Sequence, residues 1–414
     1  MSGDTQISKP PATPYEGMPR RACLVALMGA AAAMLGACAG GQLPPGIETA
    51  PPPAAQGGQP AASPTTTIGA GQVRVGLILP LSAPGNVGQA AQSMKNAAEL
   101  ALAEFKNPNI QLLLKDDAGT AAGAQVAAQQ AVAEGAELIL GPLFAQSVAA
   151  AGQVARGRGI PVIAFSSDAS VASRGIYLLS FLPETDVDRI IDYAAAHGKR
   201  SIAALIPDNA YGTVVEAALK QTAARRGARI VALERYPADR SNLQAPVGRI
   251  AQAARGADAL FIPDSGDAVS ALVQALSAAG VNMKRLQLLG TGVWIDNDQR
   301  VFANPALQGG WYAAPDSAGF RSFAVRYRQR YGNEPIRTAT LAYDAVALVA
   351  ALVKTQGTQR FSEEVLTSSS GFAGKDGVFR FRSDGTNQRG LPVMRVTPTG
   401  GQVIAPAPKT FAPG

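Results

Sequence analysis

Histidine and cysteine are nearly missing from this sequence of 414 residues, which contains one histidine and two cysteines. A single histidine, His197, excludes zinc sites built from several histidines and is the only candidate base for a Ser-His-Asp triad. It stands at the predicted end of a helix, directly before Gly198, where we expect it to cap the last turn. We therefore predict no histidine-based catalysis.

Charged and aromatic side chains are also sparse, at 16% and 6% of the residues. The net charge of +7 is spread without any basic run longer than a pair, which indicates a solvated surface and no nucleic-acid partner. The carboxylates of residues 116–117 and 296–298 lack the spacing of a calcium loop and are interpreted as turn residues. The motif GxGxxG is absent. We predict no metal, no cofactor and no catalytic residue, and therefore not an enzyme.

An apolar segment near the N-terminus, residues 22–35, follows Arg20-Arg21 and is too short to span a bilayer, which needs about 20 residues. Basic residues, a short apolar region and small residues before a cleavage point are typical of a signal peptide. The end of this segment, Leu-Gly-Ala-Cys, resembles the bacterial lipobox. This resemblance implies a lipoprotein signal peptide over residues 1–37 and lipidation of Cys38. The alternative is an ordinary signal peptide that contains a cysteine, and Met18 is an alternative start to Met1.

Residues 38–71 are rich in proline, alanine, glycine and threonine, and Glu48 is their only charge. Such a segment cannot bury enough apolar surface to order itself, and its prolines keep it extended. We predict a disordered tether that begins at Cys38 and holds the folded body off a membrane. Since Cys23 lies in the removed segment and Cys38 is lipidated, no thiol would remain for a disulfide, a metal site or a nucleophile.

Strands and helices alternate in the remainder of the chain. The first strands are continuous apolar runs, as expected for a parallel sheet that helices cover on both faces. The alternation restarts near residue 183, and two such series predict an α/β fold with two Rossmann-like lobes. The predicted strands are residues 73–79, 110–114, 138–140, 161–165, 176–181, 202–206, 229–233, 259–262 and 286–289.

Small polar loops follow several of these strands. GPLFAQS and SSDAS, at residues 141–147 and 166–170, come after two successive strands, and PDNAYG, at residues 207–212, follows a strand of the second series. Ligands of open α/β sheets bind beyond the carboxyl ends of the strands. These loops are therefore the first place to look for a binding site.

Taken in order, these motifs resemble the type I periplasmic binding proteins of the leucine/isoleucine/valine-binding kind. The matching pieces are LPLS, LLKDDAGT, ELILGPLFAQS, IPVIAFSSDAS, PDNAYG and TLAYDAVALVA, within residues 72–406. The resemblance implies two lobes joined by three crossovers, with a central cleft. The crossovers would lie near residues 182–183, 313–314 and 374–375. Lobe 1 would then contain residues 72–182 and 314–373, and lobe 2 residues 183–313 and 374–406.

In amino-acid-binding members, hydroxyls and amides of two first-lobe loops hold the ligand carboxylate, and an acidic residue holds its ammonium. Asp168 stands where the family favours a threonine and would repel a carboxylate in a low-dielectric cleft. No carboxylate occurs in residues 289–293, where the ammonium holder is expected. The alternative interpretation is ordinary loop chemistry, with helix caps and packing. The ligand-binding candidates implied by the resemblance are Ser147, Ser166, Ser167, Asp168 and Tyr211.

These departures resemble a side branch of the family, the penicillin-binding-protein activator lipoproteins. The leading hypothesis is a lipid-anchored, non-enzymatic protein that regulates a peptidoglycan synthase, a penicillin-binding protein, as its partner. The outer membrane of a diderm host is favoured because no retention aspartate follows Cys38. The alternative is the amino-acid-type solute receptor of an ABC importer, with an ABC permease as partner and a cationic or neutral solute.

Overall fold

A computed structural model describes residues 66–294 and 300–411, which belong to one unit spanning residues 62–414. The predicted signal peptide, Cys38 and most of the predicted tether lie outside the described residues, as does the carboxylate cluster at residues 296–298. In the part of the chain that is described, no helix combines the length and apolarity needed to cross a membrane.

The first series of elements forms a six-stranded sheet with the order β1-β3-β2-β4-β5-β6. Every neighbouring pair is parallel except β1 with β3. Central residues such as Val75 and Leu77 are fully buried, as the continuous apolar runs predicted. The elements are β1 (Thr66–Ile68), β2 (Val73–Leu79), α1 (Asn86–Glu104), β3 (Ile110–Asp116), α2 (Ala121–Ala133), β4 (Leu138–Leu140), α3 (Ala145–Arg156), β5 (Val162–Ala164) and β6 (Ile176–Leu178).

Strand β1 corrects the predicted tether, which is too long at its C-terminal end. Thr66, Thr67 and Ile68 pair with Leu114, Leu113 and Leu112 of β3. Without them β3 would be the exposed edge of the sheet, and β-branched residues are well suited to cover such an edge. Composition alone suggested disorder for residues 66–68, because what orders them is their pairing with β3, which composition does not reveal.

The second series forms another parallel sheet, in which β8, β7, β9, β10 and β11 are neighbours in that order. Helices α4 and α5 contribute to one buried cluster of this sheet, and α6 and α7 to the other. The elements are α4 (Pro183–Ala196), β7 (Ser201–Asp208), α5 (Ala210–Arg226), β8 (Arg229–Pro237), α6 (Gln244–Ala253), β9 (Ala259–Phe261), α7 (Gly266–Ala278), β10 (Gln287–Gly290), α8 (Arg300–Ala303) and β11 (Trp311–Ala313).

The last third of the chain packs helices against the first sheet, adds two strands to the second and forms a small third sheet. Strand β15 extends the second sheet antiparallel to β11, and β16 pairs antiparallel with β15 at its edge. Strands β12, β13 and β14 form a small antiparallel sheet. These additions complete the two lobes and confirm the predicted α/β fold class. The elements are α9 (Ser317–Tyr331), α10 (Ala339–Thr355), α11 (Glu363–Leu366), β12 (Phe372–Gly374), β13 (Gly377–Phe381), β14 (Asn387–Arg389), β15 (Val393–Thr397) and β16 (Gly400–Ala405).

The residue boundaries of the two lobes remain predictions. Tyr327 of α9 and Val346 of α10 lie in the buried cluster that covers one face of the first sheet. Phe379 and Phe381 of β13 lie in that same cluster, although the sequence assigned residues 374–406 to the second lobe. This packing favours a third crossover between β14 and β15, later than the predicted position near residues 374–375.

Candidate functional site

The loop after β5 carries three of the five candidate residues. Ser166 is buried, and its hydroxyl oxygen accepts the backbone N–H of Asp168 at 3.2 Å. Asp168 is exposed, and its carboxylate accepts the N–H of Ser170 at 2.9 Å, which begins a short 3-10 turn. Ser167 is exposed between them. Ser166 and Asp168 thus shape the loop, while Ser167 and Asp168 face solvent.

The candidate Ser147 lies in the first turn of α3, away from solvent. Ser147 is fully buried and donates its hydroxyl to the carbonyl of Thr120 at 3.3 Å. It therefore supports the neighbouring loop between β3 and α2. Gly141 begins the loop between β4 and α3 with φ of 87°, and a Cβ there would lie 2.1 Å from the carbonyl oxygen of Ile78. Only glycine meets both conditions.

The β3–α2 loop contains a buried carboxylate that the sequence interpretation treated as a turn residue. Asp117 is fully buried and accepts the N–H of Gly119 at 3.0 Å. Burial raises the pKa of Asp117, while hydrogen bonds from Gly119 and the Ser147 hydroxyl act in the opposite direction. The turn interpretation is correct, and Ser147 belongs to the same turn network.

The last candidate, Tyr211, lies in the first turn of α5, which Asn209 caps by accepting the N–H of Gly212 at 2.8 Å. The Tyr211 hydroxyl lies 2.8 Å from Oγ1 of Thr291, a fully buried residue that follows β10. This hydrogen bond ties together the loops at the carboxyl ends of two strands of the second sheet. Thr291 is a partner that sequence reasoning did not identify.

Helix α4 supplies two further carboxylates. Oδ2 of Asp186 accepts the N–H of Gly292 at 2.9 Å, so a carboxylate does lie at the loop after β10. The sequence search missed it because the residue belongs to a different element. The pKa of Glu184 is raised by burial first, and also by the negative charges of Asp168 and Asp188. The only sequence signal for these two carboxylates is their place in the first turn of a helix. That signal does not indicate a binding site, because the helix dipole by itself favours acidic residues there.

The structure therefore brings Ser166, Ser167 and Asp168 together on one loop, with the acidic first turn of α4 near Asp168. Tyr211 lies with Thr291 on the second sheet, and Ser147 is buried under the loop before α2. Among the described residues, no group of three or more His, Cys, Asp or Glu side chains is arranged to hold a metal ion. The assignment of these five residues to ligand binding remains a prediction.

His197 lies away from these loops, in the role expected for it. It is the C-terminal cap residue of α4, and its Nδ1 lies 2.8 Å from the carbonyl oxygen of Tyr193. Its ring packs on that of Tyr193, with centroids 3.8 Å apart, and beside Trp311. The predicted capping position of the only histidine is confirmed.

Comparison with known proteins places this arrangement in a family. Residues 72–402 match the sequence model of the family described as periplasmic binding protein. No curated protein matches the chain.

Several solved structures have the same fold at low sequence identity. A branched-chain amino acid ABC transporter protein from Rhodospirillum rubrum is 20% identical, with a TM-score of 0.70, over 80% of this chain and 99% of that one. A branched-chain amino acid ABC transporter periplasmic ligand-binding protein from Burkholderia xenovorans LB400 is 18% identical, with a TM-score of 0.64, over 83% and 96%. An ABC transporter solute-binding protein from R. palustris, in complex with benzoate, is 19% identical, with a TM-score of 0.54, over 83% and 98%.

Proposed function

The chain belongs to the periplasmic binding protein family, and on this premise we propose that it is the solute receptor of an ABC importer. Family membership implies a periplasmic location and a binding role. The three similar structures described above are ABC transporter proteins, and one of them holds benzoate. Of the two functions considered from the sequence, these comparisons favour the solute receptor over the regulator of a peptidoglycan synthase.

One observation carries the proposal: Asp168 and Glu184 follow β5 and β6, which are parallel neighbours, so both carboxylates lie at the same edge of the first sheet. Asp168 follows β5, Glu184 begins α4, and the charge of Asp168 contributes to raising the pKa of Glu184. Two carboxylates that share a site repel each other, and a cation between them removes that repulsion. We therefore expect a small solute with a positively charged group, or a neutral solute with several hydrogen-bond donors.

Thermal unfolding of the protein against a panel of small solutes at millimolar concentration tests this proposal. The panel contains amino acids, amines, amidines and aromatic acids. A receptor of micromolar affinity gains about 4 kcal/mol of stability at a thousandfold excess of ligand. That gain raises the unfolding temperature by several degrees or more.

A matched pair of variants assigns any shift to the candidate loop. Asp168→Asn removes the charge of Asp168, and we expect it to abolish the shift caused by a cationic solute. Asp384→Asn is the control, because Asp384 is also exposed and accepts the N–H of the residue two positions on, Thr386, at 2.8 Å. A shift that survives Asp168→Asn would place the solute elsewhere. No shift across the whole panel would contradict the receptor function.

The activator function remains as a second candidate because the polar groups of the loops bond within the protein. Ser147 bonds to Thr120, Ser166 accepts from Asp168, and Tyr211 bonds to Thr291. Three of the five candidate residues thus have partners within the protein, which suits a fold that contacts a protein partner rather than a solute. Cross-linking in intact envelopes, followed by recovery of a penicillin-binding protein, tests this candidate, and the absence of any such protein contradicts it.

The membrane anchor is a separate part of the proposal. We expect Cys38 to carry a diacylglycerol and to hold the protein on the outer membrane through the segment before β1. Metabolic labelling with palmitate should mark the wild type and Cys23→Ser but not Cys38→Ser. Density-gradient separation of the two membranes should recover the labelled protein with the outer membrane, and its recovery in the inner membrane would contradict that placement.

A further inference from the structure

Three charged side chains are buried around the small sheet of β12, β13 and β14. Asp344 on α10, Asp376 between β12 and β13, and Arg389 at the end of β14 are 2%, 1% and 4% exposed. Buried charges are unfavourable unless partners and hydrogen bonds compensate them. Their partners are therefore informative about what this part of the fold does.

Both carboxylates have close partners. Asp376 bonds through one oxygen to Arg337 and through the other to the hydroxyl of Thr340, each at 2.6 Å. Asp344 accepts the backbone N–H of Lys375 at 2.9 Å and 3.0 Å through its two oxygens. Asp344 thus contacts the turn between β12 and β13 through a single N–H group.

Arg389 is different, because most of its donors are unused. Its Nε donates to the carbonyl of Ser180 at 2.9 Å, but Nη1 and Nη2 are buried without a hydrogen-bond partner. The guanidinium lies 4.7 Å from the ring centroid of Phe181, and that of Arg337 lies 4.8 Å from the same centroid. Contact with aromatic rings does not satisfy guanidinium donors, and unsatisfied buried donors are costly.

The position of Arg389 makes this incomplete bonding significant. Phe181 precedes α4, where the chain first passes to the second sheet, and Arg389 precedes β15, where it passes for the last time. Asp344 belongs to α10, a helix packed in the core of the first lobe. A small displacement of β14 against α10 would move the strands that connect the lobes while leaving the lobes themselves intact.

We propose that Arg389 and Asp344 form a hinge latch, unpaired in the arrangement described and joined by a direct ion pair in a second arrangement of the two lobes. Pairing satisfies the unused donors of Arg389 and gives each arrangement its own contacts. It also draws the last crossover towards α10. The proposal depends on the two-lobe fold and on no particular solute, so it stands or falls separately from the receptor function.

Protonation of Asp344 controls the latch, because only the ionised carboxylate attracts Arg389. Burial raises the pKa of Asp344 to about 7, the charge of Asp376 acts in the same direction, and Lys375 and Arg389 oppose it. The latch therefore closes as the pH rises through about 7. The titratable or charged groups that face Asp344 are Lys375 and Asp376 from the β12–β13 turn, Arg389 from β14 and Tyr343 from its own helix.

Distances between spin labels on the two lobes test the latch directly. In the full chain, Cys23→Ser and Cys38→Ser remove both thiols, so that Gln129→Cys on α2 and Gln221→Cys on α5 can be labelled specifically. Both positions are exposed. We expect two distances between the labels. The ratio of the populations at these two distances should change with pH around 7, by at most about tenfold per pH unit because one proton is released.

Two substitutions and a control assign the change to the latch. Asp344→Asn and Arg389→Gln should each give a distance distribution that does not change with pH. Glu364→Gln, which alters an exposed carboxylate, should behave as the parent. A parent distribution that is the same at low and high pH overturns the proposal, as does a pH-dependent change that survives in Asp344→Asn. If either variant fails to fold, Arg389→Lys takes its place. It retains the charge and should keep the pH-dependent distances of the parent, and a loss of that pH dependence would overturn the proposal.

Discussion

The hydroxyl of Tyr211 and Oγ1 of Thr291 lie 2.8 Å apart and join the loops that follow β7 and β10. Thr291 is fully buried, whereas Tyr211 is half-buried, so the pair lies where the interior of the second lobe meets its surface. The bond holds Tyr211 in one orientation over the ends of the strands. An aromatic side chain fixed there can contact a solute without first losing conformational freedom.

Tyr211→Phe should lower the free energy of unfolding by about 1 kcal/mol, because it removes one partner of this hydrogen bond. Thr291→Val should cost a similar amount. Because both changes remove the same bond, the double variant should be less destabilised than the sum of the two single variants. Urea unfolding of the four proteins measures this coupling, and strictly additive losses would show that the bond does not form in solution.

Most strands of the two large sheets were predictable because their central residues form apolar runs. In β2 and β7, for example, the inner residues are buried whichever face they point to. Strands β1, β11, β12, β14 and β16 were not predicted. The first four have only three residues each. A strand of that length has too few residues to show a periodicity. Strands β1 and β11 also depend on pairing with β3 and β15, which are distant in sequence.

The candidate site was predictable only where a single loop supplies the residues. The loops that carry Ser166, Asp168 and Tyr211 were located by their place after a strand, and the residues themselves were implied by the family resemblance. Asp186 was missed because its contact with Gly292 joins residues 106 positions apart. Asp344 was not singled out from the sequence either, although it is the only carboxylate within the apolar helix α10 and such a buried charge needs partners.

Asp376→Ala should destabilise the protein by about 3–5 kcal/mol, because it leaves the charge of Arg337 without its buried partner. Thr340 loses its acceptor in the same variant. The comparison is Glu334→Ala, which breaks the exposed pair with Arg328 and should cost between about 0 and 1 kcal/mol. Guanidinium unfolding of both variants measures the difference. Similar losses in the two would mean that solvent reaches Asp376.

Gly141→Ala should be far more harmful than Gly159→Ala, although both glycines have positive φ, 87° and 67°. A Cβ at Gly159 meets no atom within 4 Å, so that variant suffers backbone strain alone, of about 1–2 kcal/mol. A Cβ at Gly141 would lie 2.1 Å from the carbonyl oxygen of Ile78, so the backbone itself must move. Thermal unfolding and solute binding should both be impaired in Gly141→Ala, and equal unfolding temperatures for the two variants would contradict the close approach.

Stability should fall as the pH rises from about 4 to about 7, because of Asp344. Its pKa in the folded protein is raised from 3.8 to about 7, so in this range the folded state binds a proton that the unfolded state has released. The stabilisation is fully present below the unfolded-state pKa of 3.8 and is lost as the pH rises above the folded-state pKa of about 7. A shift of this size corresponds to about 4 kcal/mol at most.

Asp344→Asn isolates this contribution. Asparagine keeps a carbonyl oxygen that can accept the N–H of Lys375 and has no proton to lose. The slope of unfolding free energy against pH between about 4 and 7 should therefore be less negative in the variant than in the wild type. Urea unfolding at a series of pH values measures both slopes. Asp117 and Glu184 also have raised pKa values and contribute slopes of the same sign, but they do so equally in both proteins. The difference between the two slopes thus belongs to Asp344, and identical slopes would mean that folding does not raise the pKa of its carboxylate.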